Sequence, residues 1–314
     1  MALAAFLSSM LLILTLLASA GPAAAQGKLA FIRGGGIWVA ATDGSGARRL
    51  TSGTQDEHPA MSPDGQWVVF QRERMTPQGR MTALMRVSTA GGPAQPVVFQ
   101  GVQQAWSASF APDGKQLVFA GLTNQRQAKK DEMTLADIFI AVGDPATGQM
   151  RIIIKTPNHN VDVGYLYENP VMSPDGRLIA YQESGSDVSG GWVVLDLTGK
   201  VLKRFPPSQE DYTPYWRPQF TPDGKQILCY SPVTGEGQVN RILLVDLATL
   251  APREVTRGRN ATFVEGGRAI VFERYRQGEG LSPERVPVDL WYLSLSGGEP
   301  RKILENAEAP AGQR

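Results

Sequence analysis

The sequence has few of the residues on which metal and redox enzymes depend. It contains two histidines, His58 and His159, and one cysteine, Cys229. A zinc or manganese site built from imidazoles needs several histidines, so we predict no metal ligand and no cofactor. A single cysteine cannot form an internal disulfide. Because Cys229 lies in an apolar run, we expect it to be a small buried side chain and not a reactive thiol.

An excess of one charge is also missing. The chain has 31 Lys and Arg residues against 30 Asp and Glu residues, which leaves a formal net charge of +1. No basic field is available to attract nucleic acid or anionic lipid, and we predict no nucleic-acid partner. The sequence also lacks the Gly-x-Ser-x-Gly motif of serine hydrolases, so no sequence motif supports a Ser-His-Asp catalytic triad.

The N-terminal segment lacks charge altogether. Residues 1–25 contain no charged side chain, and Phe6 to Leu17 is mostly apolar. Ala23-Ala24-Ala25 satisfies the small-x-small rule for signal cleavage, which predicts a signal peptide over 1–25 and a single periplasmic or secreted domain over 26–314. The alternative is an uncleaved membrane anchor, since the apolar stretch nearly spans a bilayer. Only in that case do we expect contact with a membrane.

One short phrase recurs along the rest of the chain. It reads Ser/Ala/Thr-Pro-Asp-Gly, with an apolar residue before it and a mostly apolar run after it. Its aspartates are Asp64, Asp113, Asp175 and Asp223, and a degenerate fifth copy has Gly266 in their place. Proline presets φ for the turn and glycine supplies the positive φ, so each copy predicts a β-hairpin. Intervals mostly in the forties fit a four-stranded propeller blade.

Six apolar third strands determine the number of blades. They begin at Ile37, Ala83, Ile138, Trp192, Ile242 and Leu290. The predicted fold is therefore all-β, a six-bladed β-propeller of four-stranded antiparallel blades. The first blade has no inner strand of its own, and the tail Glu308-Ala309-Pro310-Ala311 matches the inner-strand phrase Glu57-His58-Pro59-Ala60. We expect the C-terminal segment to close the ring, which removes the unpaired inner edge.

The repeat, preceded by acidic-x-Pro, resembles the PD40-type, WD40-like repeat of TolB-like propellers. It also resembles the N-terminal propellers of prolyl-oligopeptidase-type peptidases, and the resemblance covers about 27 to 311. TolB carries an additional N-terminal α/β domain and the peptidases carry a hydrolase domain, and we expect neither here. The Tol–Pal role and the peptidase chemistry are therefore not transferred. The resemblance implies an exported binding or scaffold propeller, which we expect to be monomeric.

Two rings of inner-strand positions form the candidate site. The first ring is Glu57, Trp106, Glu168, Trp216, Arg259 and Glu308, and the second is His58, Ser107, Asn169, Arg217, Asn260 and Ala309. Because inner strands surround the axis, both rings should lie near the channel mouth, with Tyr165, Tyr167, Tyr212 and Tyr215 just ahead of them. The same rim receives the long connections 73–82, 121–136, 183–191 and 273–289, where function usually lies. The Asp-Gly turns on the opposite rim are interpreted as scaffold.

This arrangement supports more than one function. Our leading hypothesis is non-catalytic recognition of a protein or peptide partner at the long-loop rim, because aromatic and Arg side chains stand beside carboxylates there. The predicted contact residues are Glu57, His58, Trp106, Glu168, Asn169, Tyr215, Trp216, Arg217, Arg259, Asn260 and Glu308. The alternative is an enzyme acting on a carbohydrate through the carboxylates Glu57, Glu168 and Glu308. A polar, water-filled channel with tryptophans packed between blades remains a further interpretation.

Overall fold

The strands of the protein form six sheets of four. The structure is a computed structural model, and it describes residues 27–53, 55–76, 79–128, 133–164, 167–184, 190–206, 214–231, 240–276 and 287–313. The predicted signal peptide and its cleavage point lie outside the described residues. Within those ranges no helix is long and apolar enough to cross a membrane.

The described residues form 24 strands and two short 3₁₀ turns. The strands are β1 (Lys28–Arg33), β2 (Gly36–Ala41), β3 (Arg48–Arg49), β4 (Asp56–Met61), β5 (Trp67–Thr76), β6 (Gly79–Ser88), β7 (Gln95–Pro96), β8 (Gln104–Phe110), β9 (Leu117–Gln127), β10 (Thr134–Asp144), β11 (Gln149–Asn160), β12 (Tyr167–Met172), β13 (Leu178–Glu183), β14 (Trp192–Asp196), β15 (Val201–Phe205), β16 (Trp216–Phe220), β17 (Gln226–Ser231), β18 (Arg241–Asp246), β19 (Pro252–Arg257), β20 (Arg259–Val264), β21 (Ala269–Tyr275), β22 (Val288–Ser294), β23 (Arg301–Leu304) and β24 (Glu308–Gly312). The 3₁₀ turns are Val161–Val163 and Glu265–Gly267.

Each sheet is one antiparallel blade. In order from the inner to the outer strand, blade 1 is β24-β1-β2-β3, blade 2 is β4 to β7, blade 3 is β8 to β11, blade 4 is β12 to β15, blade 5 is β16 to β19 and blade 6 is β20 to β23. The last strand, β24, pairs with the first, with Ala311 opposite Ala30 and Gly312 opposite Leu29. The predicted six-bladed propeller, closed by its C-terminal segment, is confirmed.

The Asp-Gly turns are held by their own side chains. In the first copy the Ser62 hydroxyl donates to the Asp64 carboxylate at 2.5 Å and accepts from the Trp67 N–H at 2.9 Å. The hydrogen bond from Ser62 lowers the pKa of Asp64, and Gly65 has a φ of 67°. The hydroxyl–aspartate bond recurs in the third and fourth copies, at Asp175 and Asp223. These aspartates are part of the scaffold, as predicted.

The core is divided among the six interfaces between blades. Six clusters of buried apolar side chains occur, and each joins two neighbouring blades. The largest fully buried side chains include Trp192, Tyr181 and Phe31, and burial of each contributes on the order of 2–3 kcal/mol. Cys229 lies in the cluster between blades 4 and 5, where burial raises the pKa of its thiol to about 12. It is an unreactive core residue, as predicted.

Two of the connections that the sequence suggested as long loops are largely strand. The β5–β6 hairpin remains paired out to Thr76 and Gly79, and the β9–β10 hairpin remains paired out to Gln127 and Thr134. Blades 2 and 3 therefore both extend on that rim as paired hairpins. Residues 185–189 and 277–286 of the other two connections lie outside the described residues.

Candidate functional site

Every inner strand is interrupted by a bulge at the same position. The six residues of the second ring have φ between 48° and 53°, namely His58, Ser107, Asn169, Arg217, Asn260 and Ala309. At each of them the pairing register shifts against the second strand. A bulge leaves one residue without a ladder partner, which is why proline is tolerated directly after it in four blades, at Pro59, Pro170, Pro218 and Pro310.

Side chains from three alternate blades support these bulges. Gln71 in β5 donates from Nε2 to Glu57 at 3.2 Å, and its Oε1 accepts from the Ser107 N–H of the next blade at 3.1 Å. Gln182 in β13 makes the same two bonds. Its Nε2 donates to Glu168 at 3.1 Å, and its Oε1 accepts from the Arg217 N–H at 3.2 Å. Each glutamine therefore fixes one channel carboxylate and one neighbouring inner strand.

The third support is a carboxylate, which accepts hydrogen bonds from the first-ring residue of its own blade where the two glutamines donate to theirs. Glu273 in β21 is fully buried, accepts from Arg259 Nε at 2.7 Å and accepts from the Ala309 N–H at 2.6 Å. Asn260 also donates to it at 2.8 Å, and the Arg259 guanidinium lies 4.5 Å from the centre of the Tyr275 ring. Arg259 and Asn260 are thus held by Glu273 at the mouth. The sequence reasoning missed Gln71, Gln182 and Glu273, although each ends the apolar run after its turn.

Three carboxyl groups surround the channel at the first ring. Desolvation at the mouth is the main cause that raises the pKa of Glu57, Glu168 and Glu308 above the usual range, and of the three Glu308 is the most exposed to solvent. The positive charge of Arg217 opposes that shift at all three, which indicates that this guanidinium stands among them. The structure therefore brings these four predicted residues together. Two further cations oppose the shift more strongly than Arg217 does, Arg80 at Glu57 and Arg259 at Glu308.

Two side chains from opposite blades meet across the channel. Arg217 Nη2 of blade 5 lies 3.4 Å from His58 Nδ1 of blade 2. Burial, reinforced by the charge of Arg217, lowers the pKa of His58 to about 3, while a hydrogen bond with Asn169 opposes this shift. The imidazole is consequently neutral at physiological pH. His58, Asn169 and Arg217 form a constriction, which we call the plug.

The predicted aromatic residues do not share one location. Trp106 is only 3% exposed and donates from its indole N–H to the Tyr167 carbonyl at 2.9 Å, so it packs between blades 3 and 4. Trp216 is half-buried against Tyr230, with ring centres 5.4 Å apart. Tyr215 packs on Phe205 at 4.6 Å. Trp106 offers no surface to a ligand, whereas Trp216 and Tyr215 retain partial exposure. Tyr165 and Tyr212 lie outside the described residues.

Acidic groups elsewhere on the rim are already paired. Asp137 in β10 accepts from Lys155, Asn124 and the Asn158 N–H, and the hydrogen bond from Lys155 is the largest cause that lowers its pKa to about 2. Asp289 in β22 is paired with Arg276 at 2.8 Å. Within the described residues no three His, Cys, Asp or Glu side chains are grouped so that they could hold a metal ion.

Below the plug the channel widens into a chamber of about 320 Å³. One end is formed by the plug residues and Ser107, and the other by prolines of the Asp-Gly turns, Pro63, Pro112, Pro174 and Pro222. Between them the lining includes Met61, Phe110, Met172, Phe220 and Phe263. The chamber is therefore mostly apolar and lies towards the short-turn rim, opposite the carboxylates.

The fold and the channel define the class of the protein: a six-bladed β-propeller with a polar mouth and an apolar chamber. No protein-family model and no curated protein matches the chain. Among solved structures it is similar to TolB from Acinetobacter baumannii, with a TM-score of 0.65 and 18% identity over 91% of this chain and 66% of that one. The chain thus spans about two thirds of the length of that protein.

Other solved structures show the same architecture. The putative TolB from Agrobacterium tumefaciens has a TM-score of 0.61 and 18% identity over 89% of each chain. The oligogalacturonate lyase from Vibrio parahaemolyticus has a TM-score of 0.53 and 14% identity over 86% of this chain and 71% of that one. The TolB-like propeller fold predicted from the repeat is confirmed. At these identities the similarity concerns the fold alone.

Proposed function

We propose that this protein is an exported, non-catalytic binding propeller that recognises a basic segment of a protein partner at its channel mouth. The observation that carries the proposal is the group of three carboxyls, Glu57, Glu168 and Glu308, around the channel mouth, with Arg217 among them. Their raised pKa values mean that the folded protein holds these carboxyls in an unfavourable environment. A partner that supplies Lys or Arg side chains would relieve this cost, so charge complementarity favours a basic partner.

Three further features support a binding role. Gln71, Gln182 and Glu273 hold the mouth rigid, which lowers the entropy lost on binding. Trp216, the residue before Arg217 in blade 5, keeps partial exposure and supplies the kind of surface that often anchors a partner. The TolB-like propeller fold is consistent with a binding platform. The proposal that the protein is exported is supported by the uncharged, mostly apolar segment 1–25 of the sequence.

The test is cross-linking capture in cells with tagged full-length protein. The variant carries Glu57→Gln, Glu168→Gln and Glu308→Gln together, which keeps side-chain size and removes the charges. The matched control carries Glu254→Gln, Glu299→Gln and Glu305→Gln, which removes the same number of charges from exposed positions. We expect the mouth variant to lose a partner that the native protein and the control both capture. Equal capture by the mouth variant would refute the site.

A further inference from the structure

The chamber below the plug is separate from the mouth at which we place the protein partner. Its outer end is formed by prolines of the Asp-Gly turns, on the opposite rim of the ring. The constriction of His58, Asn169 and Arg217 lies between the two spaces. None of Glu57, Glu168 and Glu308 belongs to the lining of the chamber. The two spaces therefore share only the plug, whose Arg217 interacts with the mouth carboxyls and also lines the chamber.

The chemistry of the chamber is asymmetric. Its walls are apolar, with Met61, Phe110 and Phe220 among the lining residues, while Arg217 alone among the described lining residues carries a permanent charge. Among the described residues Arg217 forms no ion pair within 4 Å, and the mouth carboxyls that interact with its charge stand at longer distances. Its neighbour on the facing blade, His58, is an imidazole and carries no negative charge in any protonation state, so it is not a counterion.

A half-buried guanidinium at the end of an apolar cavity favours a particular kind of ligand. Arg binds carboxylates through charge-assisted hydrogen bonds, which are stronger where water is excluded. The remaining volume suits an apolar or ring-shaped body in contact with proline, methionine and phenylalanine side chains. Small-molecule sites in proteins commonly combine such apolar walls with a few convergent polar groups.

We propose that the chamber is a binding site for a small organic carboxylate whose carboxylate pairs with Arg217 and whose apolar body fills the space between the plug and the turn prolines. Benzoate is a suitable probe because it has both parts. Its amide, benzamide, has nearly the same shape and no charge. The difference in affinity between these two compounds for the native protein measures the contribution of the ligand's negative charge without any mutation.

The experiment is isothermal titration of the purified protein with benzoate and with benzamide. We expect benzoate to bind with a dissociation constant on the order of 1 mM or below. Benzamide should bind about tenfold more weakly, since it lacks the charge that the guanidinium recognises. Equal affinity for the two compounds, or no heat from benzoate at concentrations of about 10 mM, would overturn the proposal.

Two variants locate the site. Arg217→Asn should reduce benzoate affinity at least about tenfold, and it fits the bulge because Asn occupies the same position at Asn169 and Asn260. Arg253→Asn, the same change at an exposed position on the outer strand of the same blade, should bind as the native protein does. Ala60→Leu should block binding by filling the chamber. Unchanged affinity in both chamber variants would show that benzoate binds elsewhere.

These outcomes are independent of the protein partner. Titration with benzoate needs no partner, and the glutamate variants of the mouth are not used. If the native protein binds benzoate but captures no partner, the chamber proposal stands and the proposed function is refuted. If it captures a partner but does not bind benzoate, the proposed function stands and the chamber proposal is refuted.

Discussion

His58 is the titratable residue on which burial and a neighbouring charge act in the same direction. Its Nδ1 lies 3.4 Å from Arg217 Nη2, and burial, followed by the charge of Arg217, lowers its pKa from the ordinary imidazole value of 6.5 to about 3. The unfolded chain therefore binds a proton in a pH range where the folded protein does not. Stability is then highest above the unfolded value and declines as the pH falls from about 6.5 towards 3.

We predict that His58→Asn makes the free energy of unfolding less dependent on pH between about 6.5 and 3. Asn retains the left-handed backbone of the bulge and has no proton to gain, so the part of the pH dependence due to His58 disappears. The measurement is the free energy of unfolding by urea at several pH values between about 7 and 4. A variant whose stability falls with acid as steeply as that of the native protein would show that His58 is not kept neutral by the fold.

The three mouth carboxyls show the opposite linkage. Glu57, Glu168 and Glu308 have raised pKa values, so their favourable contribution is present below the unfolded value and is lost as the pH rises through the folded one. At neutral pH these residues reduce stability. Side chains that are costly to the fold yet clustered in a concave mouth are candidates for binding, because structural side chains elsewhere on the rim, such as Asp137, are fully paired.

The bulged inner strand is the element that forms the channel. Six residues of different chemistry share one backbone conformation there, with φ near +50°. Left-handed backbone costs a residue with a side chain about 1–2 kcal/mol, least for Asn and most for β-branched residues. The supports from Gln71, Gln182 and Glu273 offset part of this cost by binding the N–H groups of Ser107, Arg217 and Ala309.

We predict that Ser107→Val lowers the free energy of unfolding by about 1–2 kcal/mol, because valine is strained at this φ. Ser107→Gly, which removes the strain but adds backbone freedom to the unfolded chain, should change stability by less than about 1 kcal/mol. Equilibrium denaturation with circular dichroism measures both. Equal losses in the two variants would mean that the side chain of Ser107, and not its backbone, supports the strand.

At the scale of the whole molecule, the closure of the ring depends on close packing of the last strand. Gly312 in β24 lies opposite Leu29, and a Cβ added there would approach the Phe263 carbonyl oxygen of blade 6 to 2.1 Å. Its φ is not in the left-handed region, so the restriction at this position is steric. Blades 1 and 6 meet here, since the Gly312 N–H also donates to the Thr262 hydroxyl oxygen at 3.2 Å.

We predict that Gly312→Ala weakens the closure and lowers the free energy of unfolding by about 1–3 kcal/mol, as for overpacking of a core. Gly34→Ala is the control. Its added Cβ would meet nothing within 4 Å, so only the cost of its positive φ, about 1 kcal/mol, is expected. Thermal unfolding followed by calorimetry compares the two. A Gly312→Ala protein as stable as the control would show that β24 can shift without loss.

The sequence allowed part of the site to be predicted. Alignment of the inner strands on their turns placed Glu57, Glu168 and Arg217 on two rings, and the structure brings these residues together. The alignment could not predict that Trp106 is buried and Trp216 partly exposed, since both occupy the same position in the repeat. Trp106 is buried because its indole N–H reaches the Tyr167 carbonyl in the next blade, whereas Trp216 packs on Tyr230 within its own blade and stays half-exposed. That difference depends on neighbours distant in sequence.

The number of blades, the hairpin turns and the closing C-terminal strand were determined by the sequence itself, because each depends on local turn chemistry or on a phrase that recurs along the chain. The left-handed bulges, the supports from Gln71, Gln182 and Glu273, the contact of Arg217 with His58 and the chamber below it were decided only by the tertiary structure. The supports, the Arg217–His58 contact and the chamber join residues of different blades, and no local pattern specifies which side chains meet once the ring has closed. The bulges lie within single blades, but the bonds that hold them come from the neighbouring blade at Ser107, Arg217 and Ala309.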